Sequence, residues 1–291
     1  MTGSKVWLPE PTSQIFTGKT IRRIHHSRVS VGDQLRVVPR IQQRRADRMT
    51  EAQMETRRKP KATAKASPKP DISANPKRTP CILVCSPKGG AGKTSIVRAL
   101  AVAAAQSGLK VATLDLDRQR TLTQWWSKRP DVGVAQFDHH EGTMADVEEA
   151  LADMVGYDLI IIDTPPGIED HRDAMMRLVD RASLALVPTG QHKDDRDSVL
   201  AWMGFLRKSG KPAAFLLNRA KKRTRILEEA KAHLIKGGNL CPIVVYDIED
   251  IPVAFESGLT VLDIDKAKGT TEVEGVWHYV RNQLGLPGDD E

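Results

Sequence analysis

Cysteine is scarce: the chain has 3, at Cys81, Cys85 and Cys241, in a spacing that matches no metal-binding set. The scarcity argues against a disulfide-stapled secreted scaffold and points to a reducing, cytosolic setting. Cys81 and Cys85 read instead as core residues of a first strand. No apolar run approaches the roughly 20 residues of a membrane span, and the Ala-rich stretch at 99–105 is amphipathic helix material. The N-terminus lacks the compact apolar core of a secretory signal. It is Arg-rich, but Glu10 and several prolines argue against a transit peptide.

Acidic residues are scarce in the front segment only. Residues 1–80 hold 18 Lys and Arg against 6 Asp and Glu, a balance of +12. The rest of the 291-residue chain holds 26 basic and 31 acidic groups, so the whole-chain +7 comes from the front. Such a block reads either as an arm for a polyanion, nucleic acid above all, or as a solvated leader. Patterning is weak over 1–58, where one helix is expected at 41–58. The stretch 59–80 is rich in Pro, Lys, Ala and Ser, the composition of an extended linker.

From Cys81 the rhythm changes. Apolar runs at 81–85, 111–114, 157–162, 184–187, 213–217 and 243–245 alternate with helical patterns. That alternation predicts an α/β domain over 81–284, a mostly parallel sheet with helices on both faces, followed by an acidic tail at 285–291. Ligands of such sheets bind at the carboxyl ends of the strands, where the chemistry-bearing motifs also fall.

The first motif is Lys88-Gly89-Gly90-Ala91-Gly92-Lys93-Thr94, after the run ending at Cys85 and at the start of a helical pattern. Strand, glycine loop and helix together make a phosphate cradle, because glycines let the backbone wrap an anion and helix-start amides point at it. Lys93 can neutralise outer phosphates and the Thr94 hydroxyl can bind Mg²⁺. The second is Leu114-Asp115-Leu116-Asp117, two carboxylates closing a strand. The third is Ile160-Ile161-Ile162-Asp163, a fully apolar strand delivering a carboxylate, followed by Thr164-Pro165-Pro166-Gly167. The fourth is Leu217-Asn218-Arg219, where Asn218 either meets a ligand or caps the next helix. The basic run Arg219, Lys221, Lys222, Arg223, Arg225 faces either DNA or solvent.

With Pro87 where an ordinary P-loop has glycine, and a second lysine at the loop's start, this KGGxGK[ST] form resembles the deviant Walker A motif of the ParA/MinD family of P-loop ATPases. The plasmid-partition members are the most similar, and the resemblance covers about 81–284. It implies ATP and Mg²⁺ as cofactors, with the nucleotide held by Gly89, Gly90, Ala91, Gly92, Lys93, Thr94 and Ser95, and its base read by Asn218. It implies Mg²⁺ near Thr94, Asp115 and Asp163, and Asp117 as the group that polarises the attacking water. Lys88 would reach across an ATP-bound homodimer to the partner's phosphates. The implied function is DNA partition: a cytoplasmic, nucleoid-associated ATPase whose dimer binds DNA non-specifically and is released by a ParB-like adaptor. Alternatives are a positioning ATPase for a conjugative DNA complex or protein assembly, and a nucleotide-gated regulator without DNA contact.

The chain departs from the family pattern in two places. Asp117-Arg118-Gln119-Arg120 stands where members often have Asp-Pro-Gln-Gly, and Asp247, Glu249 and Asp250 stand where DNA-binding members often have arginines. A closing strand and helix are expected between Asp250 and Val261. The acidic tail differs from the basic amphipathic helix of membrane-binding members, so no membrane partner is expected. Iron–sulfur reductases of this fold need cysteines between the Walker elements, and its tyrosine kinases need a tyrosine-rich tail; neither is present. Trp125 and Trp126 read as packing residues, and His25-His26 and His139-His140 as surface histidines.

Overall fold

The computed structural model describes residues 78–288. The basic extension, the linker as far as residue 77, the helix expected at 41–58, His25-His26 and the last three residues of the acidic tail lie outside the described residues. Among the described residues the first strand begins at Cys81.

Among the described residues six strands form one all-parallel sheet in the order β3-β2-β4-β1-β5-β6. They are β1 (Cys81–Val84), β2 (Val111–Asp115), β3 (Asp138–Glu141), β4 (Leu159–Asp163), β5 (Leu184–Thr189) and β6 (Ala213–Leu217). Parallel strands need crossovers, and buried on both faces they become continuous apolar runs. Cys-Ile-Leu-Val and Leu-Ile-Ile-Ile fit that requirement. Period-two alternation divides each strand between two cores. Ile82, Val84, Leu159, Ile161, Leu184 and Leu186 face one core; Cys81, Leu83, Ile160, Ile162, Ala185 and Val187 face the other.

On the first face lie α1 (Lys93–Gln106), α2 (Thr121–Trp126), α7 (Asp250–Glu256) and α8 (Thr270–Leu284). On the second lie α3 (Val147–Ala152), α4 (Arg172–Arg181), α5 (Lys193–Lys208) and α6 (Arg225–Gly237). Helix α1 is alanine-rich where it slides under β4 and against α8, and small side chains permit that close approach. Trp125 and Trp126 are core residues as expected, at 2% and 6% exposure.

Three expectations fail locally. The run at 243–245 is not a strand: it lies beside β6 through the isolated bridges Phe215–Leu240 and Ala220–Tyr246. Pro242, which has no N–H to donate, breaks any ladder there. The closing strand expected before Val261 is instead a turn, with Asp263 Oδ2 accepting from the amide and hydroxyl of Thr260. The sixth strand is β3, Asp-His-His-Glu, which carries no apolar signal at all. His139 and His140 are therefore not surface residues; they are 1% and 6% exposed, covered by Trp126 and Tyr157.

Candidate nucleotide site

Register brings the motifs together. Val84 pairs with Asp163 and Asp115 pairs with Asp163, so β1, β4 and β2 end side by side and deliver loop, Walker-B-like carboxylate and paired aspartates to one rim. The loop is built for close backbone approach. Gly90 and Gly92 take φ of 77° and 86°, a left-handed conformation that favours glycine. A Cβ on Gly92 would lie 2.2 Å from Asn218 Nδ2. Gly92 is also the N-cap of α1, and Lys93 opens the helix, so its first-turn amides are directed at the loop.

Beneath the loop sits Asp163, 1% exposed, with neither oxygen engaged in a hydrogen bond. Burial pushes its carboxyl up to about 7, against the opposing pull of the Thr94 hydroxyl and the Lys93 ammonium. The buried Lys93 ammonium is shifted down by desolvation, opposed by Asp163 and Asp117. A buried carboxylate without a partner is costly unless a cation completes it. With the Thr94 hydroxyl beside it, the donor set is oxygen-only, as Mg²⁺ prefers, with phosphates and water as the remaining ligands. Among the described residues no group of three or more His, Cys, Asp or Glu could hold a metal ion. The Ser86 hydroxyl, just before the loop, is also buried without a hydrogen-bond partner.

Asp115 has a different setting. Its Oδ1 accepts from the Asp117 amide at 3.0 Å, and its Oδ2 from the Thr123 amide and hydroxyl at 3.1 and 2.9 Å. These bonds commit the carboxylate to shaping the segment that carries Asp117, whose own Oδ1 accepts from the Gln119 amide at 3.0 Å. Arg120 occupies the position where the family pattern has glycine, and takes φ of 52°. Its guanidinium supports that strained turn by donating to the Asp115 carbonyl at 2.6 Å and pairing with Glu141 at 3.6 Å. The Gly167 amide donates to the Pro87 carbonyl at 3.3 Å, so the segment after β4 touches the phosphate loop directly.

On the other flank a cleft of about 210 Å³ lies between the loop and the ends of β5 and β6, lined by Ser86, Lys88, Gly90, Gln191, Asp195 and Asn218 among others. Asn218 donates to the Ala91 carbonyl at 2.9 Å and lines this cleft. It does not cap the next helix: that role belongs to Thr224, whose side chain accepts from the Leu227 amide. Lys88 stands at the mouth, 45% exposed in its side chain, in an ion pair with Asp195 of its own chain. The hydrogen bond to Asp195 raises the lysine pKa.

Sequence reasoning missed Asp195 and Gln191, and read Arg219 only as part of a basic run. Gln191 accepts from the Lys221 amide at 2.9 Å and so anchors the segment after Asn218; Arg219 reaches the Gly90 carbonyl at 3.4 Å. A signal existed only for Asp195, in the acidic first turn Asp194-Asp195 of a helix that leaves a strand's carboxyl end.

A strand, a glycine loop and a helix meeting a partnerless carboxylate at the end of a neighbouring parallel strand define a nucleotide-binding α/β domain. The chain belongs to the CobQ/CobB/MinD/ParA nucleotide binding domain family, whose model matches residues 82–261. It is 32% identical over 108 residues to the maintenance of carboxysome distribution protein A of Gloeobacter kilaueensis, a match covering 37% of this chain and 48% of that protein. The chain spans about half the length of the curated relatives it matches. Its fold is similar to the septum site-determining protein MinD of Pyrococcus horikoshii complexed with Mg-ADP, at TM-score 0.59 and 20% identity, covering 71% of this chain and 98% of that one. It is also similar to a putative plasmid partition protein of Borrelia burgdorferi bound to AMPPNP, at TM-score 0.58 and 16% identity, covering 70% and 100%. Among the described residues no helix is long and apolar enough to cross a membrane.

Proposed function

We propose that the protein is a Mg²⁺-dependent ATPase that cycles between a monomer and a face-to-face ATP dimer to partition DNA. The single observation that carries the ATPase reading is Asp163, buried without a partner next to Thr94 and Lys93 under a glycine loop. The Mg-ADP and AMPPNP bound by the two structural neighbours support the ligand class. In this reading Gly89, Gly90, Ala91 and Gly92 wrap the phosphates with backbone amides, joined by the Thr94 and Ser95 amides at the helix start. Lys93 neutralises the outer phosphates, and Thr94 and Asp163 hold the metal. Mg²⁺, when bound, supplies charge neutralisation at the phosphates. Asp117 orients the attacking water and accepts its proton. Asn218 keeps the loop in place and meets the base in the adjoining cleft.

Lys88 has two positions in this cycle. Paired with Asp195 it belongs to its own subunit; released, its exposed ammonium is free to reach the phosphates of a second copy, which couples dimerisation to ATP. The basic front segment provides affinity for DNA without sequence preference, and a ParB-like adaptor triggers hydrolysis and release in the cytoplasm at the nucleoid. The carboxysome-distribution relative favours a second reading, in which the same cycle positions a protein assembly.

Light scattering with and without ATP tests the cycle. Wild type becomes dimeric with ATP, Lys88→Ala stays monomeric, and Asp117→Ala remains a dimer because hydrolysis stops. An unchanged monomer–dimer balance in Lys88→Ala rules out the trans role. An electrophoretic shift with non-specific duplex, with and without ATP, separates both readings from a nucleotide-gated regulator without DNA contact. DNA affinity should fall with salt at a slope of about −0.9 per neutralised phosphate, and deletion of residues 1–80 should remove most of it.

A further inference from the structure

The polar strand β3 has no evident reason to be buried until its hydrogen bonds are followed. The His139 ring lies stacked on Trp126, with centroids 5.2 Å apart and planes at 28°. Its Nδ1 is 2.8 Å from Thr113 Oγ1 and its Nε2 is 2.9 Å from Thr123 Oγ1. The Thr123 hydroxyl also lies 2.9 Å from Asp115 Oδ2, while Asp115 Oδ1 accepts from the Asp117 amide at 3.0 Å. A continuous chain of hydrogen bonds thus runs from the sheet edge to the backbone of Asp117.

Counting protons gives this chain a direction. An ionised carboxylate only accepts, so the single hydroxyl proton of Thr123 goes to Asp115. The contact between Thr123 Oγ1 and Nε2 then requires the ring to donate, which places a proton on Nε2. In a neutral ring Nδ1 is then bare and accepts from the Thr113 hydroxyl at 2.8 Å, a shorter contact than that hydroxyl's 3.4 Å to the Asp138 carbonyl. Burial keeps the ring neutral: it pushes the imidazole down to about 3, with His140 and Arg120 adding to the effect. The neighbouring Glu141 acts on the same segment by pairing with Arg120. Residues of β3 therefore hold the Asp115–Arg120 turn at two points, one from inside the fold and one at its surface.

We propose that His139 is a positioning residue for nucleotide hydrolysis, acting as the Nε2–H tautomer to hold the Thr123 hydroxyl on Asp115 and thereby set the backbone of Asp117. At 1% exposure the His139 ring meets the hydroxyls of Thr113 and Thr123, and it acts through the second of these. The proposal rests on the reading of Asp117 as the water-orienting group. A misplacement of about 1 Å in such a group is enough to lower turnover up to about a hundredfold.

Two measurements on the full chain test it. Long-range ¹H–¹⁵N spectra of ¹⁵N-histidine-labelled protein, with the His139 signals assigned by their loss in His139→Gln, should show a protonated Nε2 and a bare Nδ1. A proton on Nδ1 instead overturns the proposal. In steady-state ATP hydrolysis, Thr123→Val and His139→Phe should lower kcat by about tenfold or more with KM unchanged. Thr123→Ser, which keeps the hydroxyl, and His139→Gln, which keeps a donor near Nε2, should restore most of the rate. Thr123→Val as active as Thr123→Ser overturns the positioning role even if His139→Phe fails to fold. Absence of hydrolysis by the wild type overturns the ATPase reading, and the proposal with it; hydrolysis by wild type and Thr123→Val alike overturns the proposal alone.

Discussion

Asp163 and Asp263 are both buried carboxylates, at 1% and 4% exposure, and their surroundings differ in every other respect. Asp263 receives Arg129 Nη1 and Nη2 at 2.9 and 2.8 Å, in a bidentate pair whose side chains are both fully buried, together with the Thr260 amide and hydroxyl. The guanidinium also donates to the Gly258 and Ala135 carbonyls and lies over the rings of Trp125 and Phe137. Asp163 has no hydrogen-bond partner on either oxygen. The contrast separates two uses of buried charge. A charge that the chain itself satisfies ties segments together, here the end of α2 to the turn after α7. A charge left unsatisfied raises the free energy of the empty fold, and a ligand recovers that free energy on binding.

Breaking the satisfied pair should have the largest effect. Arg129→Ala leaves Asp263 buried without its counter-charge, and should destabilise the fold by about 3–5 kcal/mol in urea unfolding. Removing the unsatisfied charge should do the reverse. The folded pKa of Asp163, about 7, lies above its ordinary 3.8, so the folded protein holds a proton that the unfolded chain releases. Stability of the nucleotide-free protein should therefore fall as pH rises between about 4 and 7, with the full penalty present above that window. Asp163→Asn should flatten this dependence and raise the Tm at pH 8, by at most about 4 kcal/mol of stability, while abolishing Mg²⁺-dependent ATP hydrolysis. A wild-type stability that rises over the same window would contradict the assignment of Asp163 as the strained group.

The pair at the surface extends the comparison. Lys88–Asp195 is solvent-screened, so Asp195→Asn should leave unfolding nearly unchanged yet lower the ATP concentration for half-dimerisation by up to about fivefold. Light scattering against ATP concentration reads this shift. The smallest effect is expected for Arg120→Gly. It relieves a left-handed residue worth roughly 1–2 kcal/mol and gives up the contacts to Asp115 and Glu141, so net stability in urea should move by less than about 1 kcal/mol. Hydrolysis should fall nonetheless, because the turn that carries Asp117 loses its outer clamp.

The phosphate loop, the Asp115–Asp117 pair and the Asp163 strand were legible because each is written in local grammar. Glycine spacing, an apolar run and a terminal carboxylate are contiguous in the chain. Five of the six apolar runs became strands for the same reason. Strand β3 was not legible, since Asp-His-His-Glu is buried only by partners that other elements bring to it: Trp126, Thr113 and Tyr157. The run at 243–245 misled in the opposite sense, its β-branched residues serving the core from a segment that Pro242 keeps out of the sheet. The Lys88–Asp195 and Arg129–Asp263 pairs span 107 and 134 residues, and no pattern in a single sequence marks such partners.

Trp125 and Trp126 follow directly on the turn that carries Asp117. The indole of Trp125 is bonded to the Leu259 carbonyl at 3.2 Å and faces the Arg98 guanidinium of α1, while that of Trp126 is bonded to the Phe137 carbonyl at 3.2 Å. Their emission depends on those dipoles and charges, so the native chain carries its own optical gauge of the turn. Stopped-flow fluorescence on unlabelled protein would then time each rearrangement around the γ-phosphate as it happens.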